Sequence, residues 1–411
     1  MSRVFARLFV WPGLIAGFVV SLAQSAAAAT PDDPSNTGAP IIVPFEAAVG
    51  TWVELYVNPS TGNDSGDGSS GAPLRTLGAA MSRATGQATP QPTRINLAAG
   101  TYAGLGSYGN VQRTAGSPIK ISGATNAGGD PLAIVDGGAN GVDAAGAMCI
   151  RFSSVSYIIV ENIRCQNAFP HGSNIDDGGN YATRTHNLVL RNWRVRNVGV
   201  YSNLAAAGNS DCLKITGVDD FWIVDSELEN CVRGEFIDMV GSHRGVIARN
   251  YFHDKPGNGV QTKGGSTDVL ITRNTFERVE LRFIQLGGSV DPEDYRPSDA
   301  PYPASRIDVI ANVVRGAGIY GGSTDNRTLV FSLNGCNDCV VAHNTVIDIQ
   351  FDAAIAYIDK EEAAKPGNND VILANNIYVM DDGENRPRSS RPEYVVSARG
   401  EPTAGEIQFR N

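Results

Sequence analysis

The chain has 411 residues, including 46 glycines and 18% charged residues, and a formal net charge of -10. An acidic surface argues against nucleic-acid binding. Many glycines and few charges favour short strands joined by turns over long amphipathic helices.

Residues 1–29 have the pattern of a secretory signal peptide. Arg3 and Arg7 precede an apolar stretch, which small residues follow up to Ala29. That order of a positive end, an apolar core and small residues is typical of a cleaved signal. The apolar stretch is interrupted by Pro12 and is short for a membrane span. We therefore predict a secreted or periplasmic protein without a membrane span.

The next part of the chain is predicted to be a linker at 30–52, followed by the start of a folded domain. The sequence "YVNPSTGNDSGDGSSGAPLRTLGAAMSRA" indicates a strand from Tyr56, a turn-rich loop and a short amphipathic helix at about residues 76–84. "RINLAAGTY" then indicates a second strand and turn. This opening resembles that of pectate-lyase-like right-handed β-helix proteins, in which the helix caps the open end of the coil. An uncapped end would expose strand edges and invite aggregation.

Segments such as "LVLRNWRV", "VLITRNTF" and "VILANNIYV" repeat one template of alternating apolar residues and an asparagine. Successive copies are about 24 to 38 residues apart, a period typical of stacked repeats. Period-two alternation and β-branched residues favour strands. We predict an all-β fold, a single-stranded right-handed parallel β-helix over 53–411 with an N-terminal capping helix. The template residue is expected to adopt a left-handed backbone and to form a ladder of side-chain amides. Its copies are Asn162, Asn192, Asp225, Asn250, Asn274, Asn312, Asn344 and Asn376.

The chain contains six cysteines, which an exported protein can oxidise. Their connectivity cannot be read from spacing. Cys336 and Cys339 in "CNDC" have no second ligand pair at a suitable distance in sequence. They are interpreted as buried small residues or a local disulfide rather than a metal site.

Four consecutive strands, "SDCLKITG", "GEFIDMVG", "NGVQTKGG" and "RFIQLGG", align by their glycine turns. Alternation predicts that one set of side chains fills the coil and the other faces outward. The outward columns are Asp211, Glu235, Asn258 and Arg282; Lys214, Asp238, Gln261 and Gln285; and Thr216, Val240, Lys263 and Gly287. Such a face is either a binding cleft or a solvated surface with stacked opposite charges, which contribute little.

Long loops border this predicted face, and loops beside a rigid sheet often carry function. Tyr201 lies in one of them, and Tyr295 and Arg296 lie in another. These side chains either bind sugar rings and carboxylates or pack against the sheet. The predicted substrate-binding set is Gln261, Gln285, Asn258, Tyr295, Arg296 and Tyr201.

The coil architecture resembles that of pectate-lyase-like right-handed β-helix proteins, and two strands resemble those of the family-nine pectate lyases. "GEFIDMVG" places Glu235 and Asp238 like two acids of that family, although Gly234 replaces another. "NGVQTKGG" resembles the family's Asn-Gly-Phe-Lys-Leu-Gly-Gly strand. Gln261 occupies the position of the family's lysine, and Lys263 follows two residues later on the same face.

The resemblance implies β-elimination on an acidic, uronate-containing polysaccharide. In such a reaction, calcium neutralises the carboxylate next to the reacting carbon, and a neutral amine removes the proton. Lys263 is the predicted base, with His253 in reserve. Related alginate and chondroitin lyases pair a lysine with an arginine one coil later, where Arg282 stands, although their Leu-Arg-His-Gly motif is absent. The implied calcium ligands are Asp211, Glu235 and Asp238.

Two other functions fit the same residues. Glu235 with Asp211 or Asp238 could serve as the carboxyl pair of a glycoside hydrolase, which needs neither calcium nor lysine. A non-catalytic β-helix that binds glycans or has a structural role would also carry a polar face, because a fold alone does not fix a function. In each case the protein is expected to be a monomer.

Overall fold

The computed structural model describes residues 41, 43–138, 148–199, 210–232, 234–255, 257–279, 282–288, 290–316, 329–349, 354–358, 366–380, 396–398 and 407–410. The predicted signal peptide lies outside these residues. The described helices are α1 (Pro44–Ala47) and α2 (Leu77–Thr85), with 3-10 turns at Tyr181–Thr183 and Pro292–Asp294.

The strands of the described residues are β1 (Val53–Val57), β2 (Thr93–Leu97), β3 (Gly100–Tyr102), β4 (Ser107–Gly109), β5 (Ile119–Gly123), β6 (Ala133–Asp136), β7 (Ile150–Ser153), β8 (Ser156–Gln166), β9 (Ser173–Asp176), β10 (Thr185–Val198), β11 (Leu213–Thr216), β12 (Val218–Val224), β13 (Glu227–Cys231), β14 (Glu235–Val240), β15 (His243–Ala248), β16 (Tyr251–Lys255), β17 (Asn258–Lys263), β18 (Ser266–Thr272), β19 (Thr275–Val279), β20 (Arg282–Gly287), β21 (Ala304–Ile310), β22 (Val313–Arg315), β23 (Leu329–Asn334), β24 (Cys336–Asn337), β25 (Val340–Ala342), β26 (Thr345–Ile349), β27 (Ala354–Ile358), β28 (Val371–Ala374), β29 (Ile377–Met380), β30 (Val396–Ala398) and β31 (Ile407–Arg410).

The strands wind into a coil in which each central turn supplies one strand to each wall. β11, β12 and β13 form one turn, and each pairs in parallel with the strand three places later. One wall is a ten-stranded sheet in the order β30-β27-β23-β20-β17-β14-β11-β9-β7-β4, which we call the front sheet. This arrangement confirms the predicted all-β parallel β-helix.

The inside of the coil is filled by the apolar residues that alternation assigned to it. Leu213, Ile237, Val260 and Ile284 lie in register on neighbouring front-sheet strands, and all four are fully buried. They belong to one apolar cluster that extends along most of the described chain. The opposite set of side chains in the same strands therefore faces outward.

Helix α2 closes one end of the coil, as predicted. The Thr76 side chain accepts a hydrogen bond from the backbone N–H of Ala79 (3.2 Å), which caps the first turn. Leu77 and Met81 are buried in the same apolar cluster as the first strands.

Part of the predicted linker 30–52 packs against the outside of the coil. Phe45 of α1 is buried and makes an edge contact with the Trp222 ring, with 6.1 Å between the ring centroids. The Glu46 carboxylate forms an ion pair with Arg191 (2.6 Å). The segment around α1 is thus docked on the wall, whereas residues 30–40 are outside the described part of the chain.

A ladder of buried amides stabilises the bend between two walls. Nδ2 of Asn250 donates to Oδ1 of Asn274 (3.0 Å), and Nδ2 of Asn274 donates to Oδ1 of Asn312 (3.0 Å). The expected left-handed backbone is found at Asn162, Asn192 and Asp225 themselves. The expectation was wrong for the later coils. There the residue before the ladder asparagine has the left-handed backbone, as Arg249 does with φ 57°. The later asparagines turn their amides inward to the ladder, so the bend is made one residue earlier.

The six cysteines form three local disulfides within the described residues. Cys149 pairs with Cys165, Cys212 with Cys231, and Cys336 with Cys339. The last pair agrees with the predicted local disulfide and excludes a metal-binding "CNDC". Among the described residues, no helix has the length and apolar character needed to cross a membrane.

Candidate active site

Three carboxylates and a lysine from consecutive coils meet on the front sheet. Asp211 precedes β11, Glu235 and Asp238 lie on β14, and Lys263 lies on β17. One ligand atom of each carboxylate lies within 4.8 Å of the others. Nζ of Lys263 is 3.1 Å from Oδ1 of Asp238. The sequence-predicted acids and lysine therefore share one outer wall.

A break in strand alternation places both acids of β14 on the same face. Glu235 and Asp238 are separated by two consecutive buried residues, the first of which is Phe236. In β17 the position beside Phe236 is Gly259, where a Cβ would lie 2.1 Å from the carbonyl oxygen of Phe283. Glycine at this position allows β17 to lie this close to β20.

Asp211 is held against the start of β14. Its Oδ1 accepts a hydrogen bond from the backbone N–H of Glu235 (2.7 Å), and the residue is fully buried. A Cβ on Gly234 would lie 2.0 Å from this oxygen. This close approach leaves no room for a side chain at position 234.

Asp238 is contacted by a second lysine that the predicted site did not include. Lys214 lies directly beside Asp238 in register, and its ammonium group contacts Oδ2. Burial opposes protonation of Lys214, but the charges of Asp238, Asp211 and Glu235 raise its pKa. The signal was present in the sequence, because Lys214 and Asp238 are neighbours in the same outward column.

His171 was also missed as a contact of the acids. Its Nδ1 lies 3.1 Å from the backbone nitrogen of Asp211 and 3.2 Å from Oδ2 of the same residue. A backbone N–H can only donate, so Nδ1 accepts from it and the neutral ring carries its proton on Nε2. Oδ2 of Asp211 is left without a hydrogen bond in the described structure. His171 comes from a long loop, so strand alternation could not place it.

The two neighbouring carboxyls have opposite pKa shifts. Burial and the negative charge of Asp211 raise the pKa of Glu235 to about 7. Burial alone would also raise the pKa of Asp211, but a hydrogen bond with Glu235 and the charge of Lys214 lower it. Of the two carboxyls, Glu235 therefore keeps its proton to the higher pH.

The donor atoms of this cluster suit a hard divalent cation. Oδ2 of Asp211 and Oε2 of Glu235 are buried and accept no hydrogen bond in the described structure, and Oδ1 of Asp238 is buried beside the ammonium group of Lys263 (3.1 Å). Buried carboxylate oxygens without partners are costly, and converging carboxylate oxygens are the ligands that calcium prefers. The acidic groups can thus hold a metal ion.

Polar side chains continue the face beyond the acids. Asn258 donates from Nδ2 to Oε1 of Glu235 (3.0 Å). Gln261 accepts a long hydrogen bond from Nζ of Lys263 (3.4 Å), and Gln285 lies beside Gln261 on the next strand. These predicted substrate-binding residues surround the carboxylate cluster.

Arg282 lies beside Asn258 in register. It forms no ion pair with any residue that the structure describes, and its Nε is buried without a hydrogen-bond partner. The other described cations of this face, Arg151, Lys214 and Lys263, each contact a carboxylate. Arg282 is therefore positioned to accept an external anion.

The remaining predicted site residues are not brought into this cluster. Arg296 donates from Nε to the buried carboxylate of Asp177 (2.8 Å), and the adjacent Tyr295 is buried beside Gly265. These contacts fasten a loop at the end of the face. Tyr201 lies outside the described residues.

His253 lies on β16, on a different wall from Lys263. Its Nε2 is 3.0 Å from Glu227 and its Nδ1 is 2.7 Å from Asp254. Burial opposes protonation, but these two carboxylates raise the pKa of His253. Both ring nitrogens are engaged there, so the geometry gives the reserve base no contact with the carboxylate cluster.

No protein-family model matches the chain, and no curated protein matches it in sequence. Solved structures with a similar chain path include pectate lyase Pel9A, which is 15% identical with a TM-score of 0.48 over 84% of this chain and 80% of that one. An alginate lyase from Paenibacillus sp. str. FPU-7 is 14% identical with a TM-score of 0.43 over 74% and 95%. The GH136 lacto-N-biosidase from Eubacterium ramulus is 12% identical with a TM-score of 0.44 over 87% and 67%. Likenesses at this level carry no information about the activity of this chain.

Proposed function

We propose that this protein is a secreted or periplasmic, monomeric polysaccharide lyase that cleaves a uronate-containing polymer by β-elimination. One observation carries the proposal. Three buried carboxylates converge beside the ammonium group of Lys263 on one outer face of the coil. A cation-binding cluster next to an amine is the combination that proton abstraction beside a sugar carboxylate requires.

Each residue of the cluster has a role in this reaction. Lys263, once deprotonated, removes the proton at the carbon that bears the uronate carboxylate. Asp238 contacts Lys263 at 3.1 Å and orients it toward the face. Arg282 binds a substrate carboxylate or stabilises the oxygen that leaves.

Calcium fits the same cluster as a cofactor. Asp211, Glu235 and Asp238 would hold it through Oδ2, Oε2 and Oδ1, respectively, the last of which also contacts Lys263. When bound, calcium neutralises the substrate carboxylate so that negative charge can develop at the neighbouring carbon. Asn258 and Gln261 lie at the edge of the cluster and would contact the sugar.

The decisive experiment is a panel of uronate polymers incubated with the purified mature chain. β-Elimination leaves an unsaturated sugar, so ultraviolet absorbance should rise on at least one polymer and fall when a chelator is added. Lys263→Ala should abolish the signal, whereas Arg315→Ala, an exposed change on the opposite sheet, should keep it. New reducing ends without ultraviolet absorbance would identify a hydrolase instead of a lyase. The absence of both signals would favour a binding protein.

A glycoside hydrolase is the second candidate because Asp211 and Glu235 form a close carboxyl pair. The backbone of Glu235 is hydrogen-bonded to Asp211, and the two pKa values are displaced in opposite directions. An acid that keeps its proton beside an ionised carboxylate is the pattern of glycosidase catalysis. This candidate requires cleavage that survives both chelator and Lys263→Ala.

A further inference from the structure

Asp238 holds two ammonium groups at once. Lys214 contacts Oδ2, and Nζ of Lys263 lies 3.1 Å from Oδ1. The Asp238 side chain has no exposed surface, while that of Lys214 is 25% exposed. Lys214 is therefore the outer member of a pair that brackets a buried carboxylate.

The charges of the cluster almost cancel without any bound ion. Asp211, Glu235 and Asp238 carry three negative charges when fully ionised, and Lys214 and Lys263 supply two positive charges. A divalent cation would convert this small negative excess into a positive one. Like charges a few ångströms apart in a partly buried site repel strongly because water screens them weakly.

We propose that Lys214 is a built-in counter-cation that competes with calcium for Asp238 and keeps the affinity of the carboxylate cluster for calcium low. The inference rests on the cation site of the proposed function and concerns its regulation. A uronate carboxylate entering the face would restore the missing negative charge, so calcium and substrate should bind cooperatively.

Lys214 differs from Arg151 in its contact with the carboxylate cluster. Arg151 belongs to the same outward column but lies two strands away, where it pairs with Asp176 (3.2 Å). Removing Arg151 takes one positive charge from the face without touching the carboxylate cluster. It is the matched control for an effect of contact rather than of net charge.

The test is isothermal titration of calcium chloride into the full mature chain and its variants. Lys214→Met should bind calcium about tenfold more tightly than the unchanged protein, equivalent to about 1.4 kcal/mol. Lys214→Arg and Arg151→Met should bind like the unchanged protein. In chelator, Lys214→Met should also unfold at a lower temperature than the unchanged protein, because Asp238 loses a partner. Calcium should remove this difference in unfolding temperature.

Equal or weaker calcium binding by Lys214→Met would overturn the proposal, as would an equal gain in Arg151→Met. The proposal is also overturned if neither the unchanged protein nor any variant binds calcium. Lys214→Gln serves as a second variant in case the first does not fold. Unfolding of both variants regardless of calcium would show a purely structural lysine and reject the competition, whereas folding only with calcium would support it. The polymer assay is independent, so a lyase without this competition is recognised as such.

Discussion

Nζ of Lys263 lies 3.1 Å from Oδ1 of Asp238, on the neighbouring strand of the front sheet. The contact is diagonal, because Asp238 is directly opposite Gln261 in register and Lys263 is opposite Val240. The lysine thus reaches back over Gln261 to the acid. A shift of two residues along the strand, relative to the family pattern, still delivers the amine to the carboxylate cluster.

Lys263→Ala should lower turnover of the responsive uronate polymer by about 10²- to 10⁴-fold, the usual contribution of a general base. The side chain faces outward, so the coil should remain folded. Initial rates from ultraviolet absorbance and a thermal unfolding curve give the two measurements. Retained activity in a folded variant would remove Lys263 from the mechanism.

Arg282→Ala should weaken binding of the anionic polymer about tenfold, or about 1.4 kcal/mol, because none of the described carboxylates forms an ion pair with its guanidinium group. Arg282→Lys should retain only part of the binding, since an ammonium cannot form a bidentate contact. The measurement is KM against kcat for both variants. An unchanged KM would contradict a substrate contact, and Arg315→Ala controls for lost surface charge.

Glu235→Gln should alter how stability depends on pH in the presence of chelator. The pKa of Glu235 is raised from 4.5 to about 7 in the folded protein. Between these values the folded state binds more protons than the unfolded chain, so this residue makes stability fall as pH rises. The Tm of Glu235→Gln minus the Tm of the unchanged protein should therefore increase between about pH 5 and about pH 8.

Asp211 does not obscure that comparison. Its pKa is lowered from 3.8, so its stabilising contribution is lost only as pH falls below that value. Parallel Tm profiles for Glu235→Gln and the unchanged protein would show that Glu235 has an ordinary pKa.

Gly234→Ala should displace Asp211, because the new methyl group would lie 2.0 Å from its Oδ1. We expect at least a tenfold loss of calcium affinity and about 1–3 kcal/mol of destabilisation from overpacking. Gly71→Ala is the matched control, since nothing lies within 4 Å of a Cβ there. Equal calcium affinity in the two variants, measured by titration, would contradict a role for Asp211 as a ligand.

Asn274→Ala should destabilise the coil by about 2–4 kcal/mol, because buried partners would be left unpaired. Nδ2 of Asn274 donates to the Ile247 carbonyl (2.9 Å), and its Oδ1 accepts from the Asn250 backbone (2.9 Å). Denaturant unfolding measures the loss. Asn369→Ala, an exposed amide in a later coil, should cost much less.

The repeat and the alternation of strands were sufficient to predict the coil and the outward set of side chains. These features depend on local pattern: period two assigns each residue to a face, and a regular repeat stacks those faces in register. The columns alone therefore place Glu235, Asn258 and Arg282 beside one another.

The chemistry within those columns depended on the tertiary structure. Alternation could not show that Lys263 contacts Asp238, because a contact between diagonal neighbours depends on how long side chains bend. Alternation also could not show that a loop brings His171 to Asp211. Nor could it show that His253 lies on a different wall from Lys263. Sequence alone determined the scaffold and the face, because both follow from local periodicity. Folding decided the ion pairs, the oxygens without partners and the raised pKa of Glu235, because these arise from burial and from distances between coils.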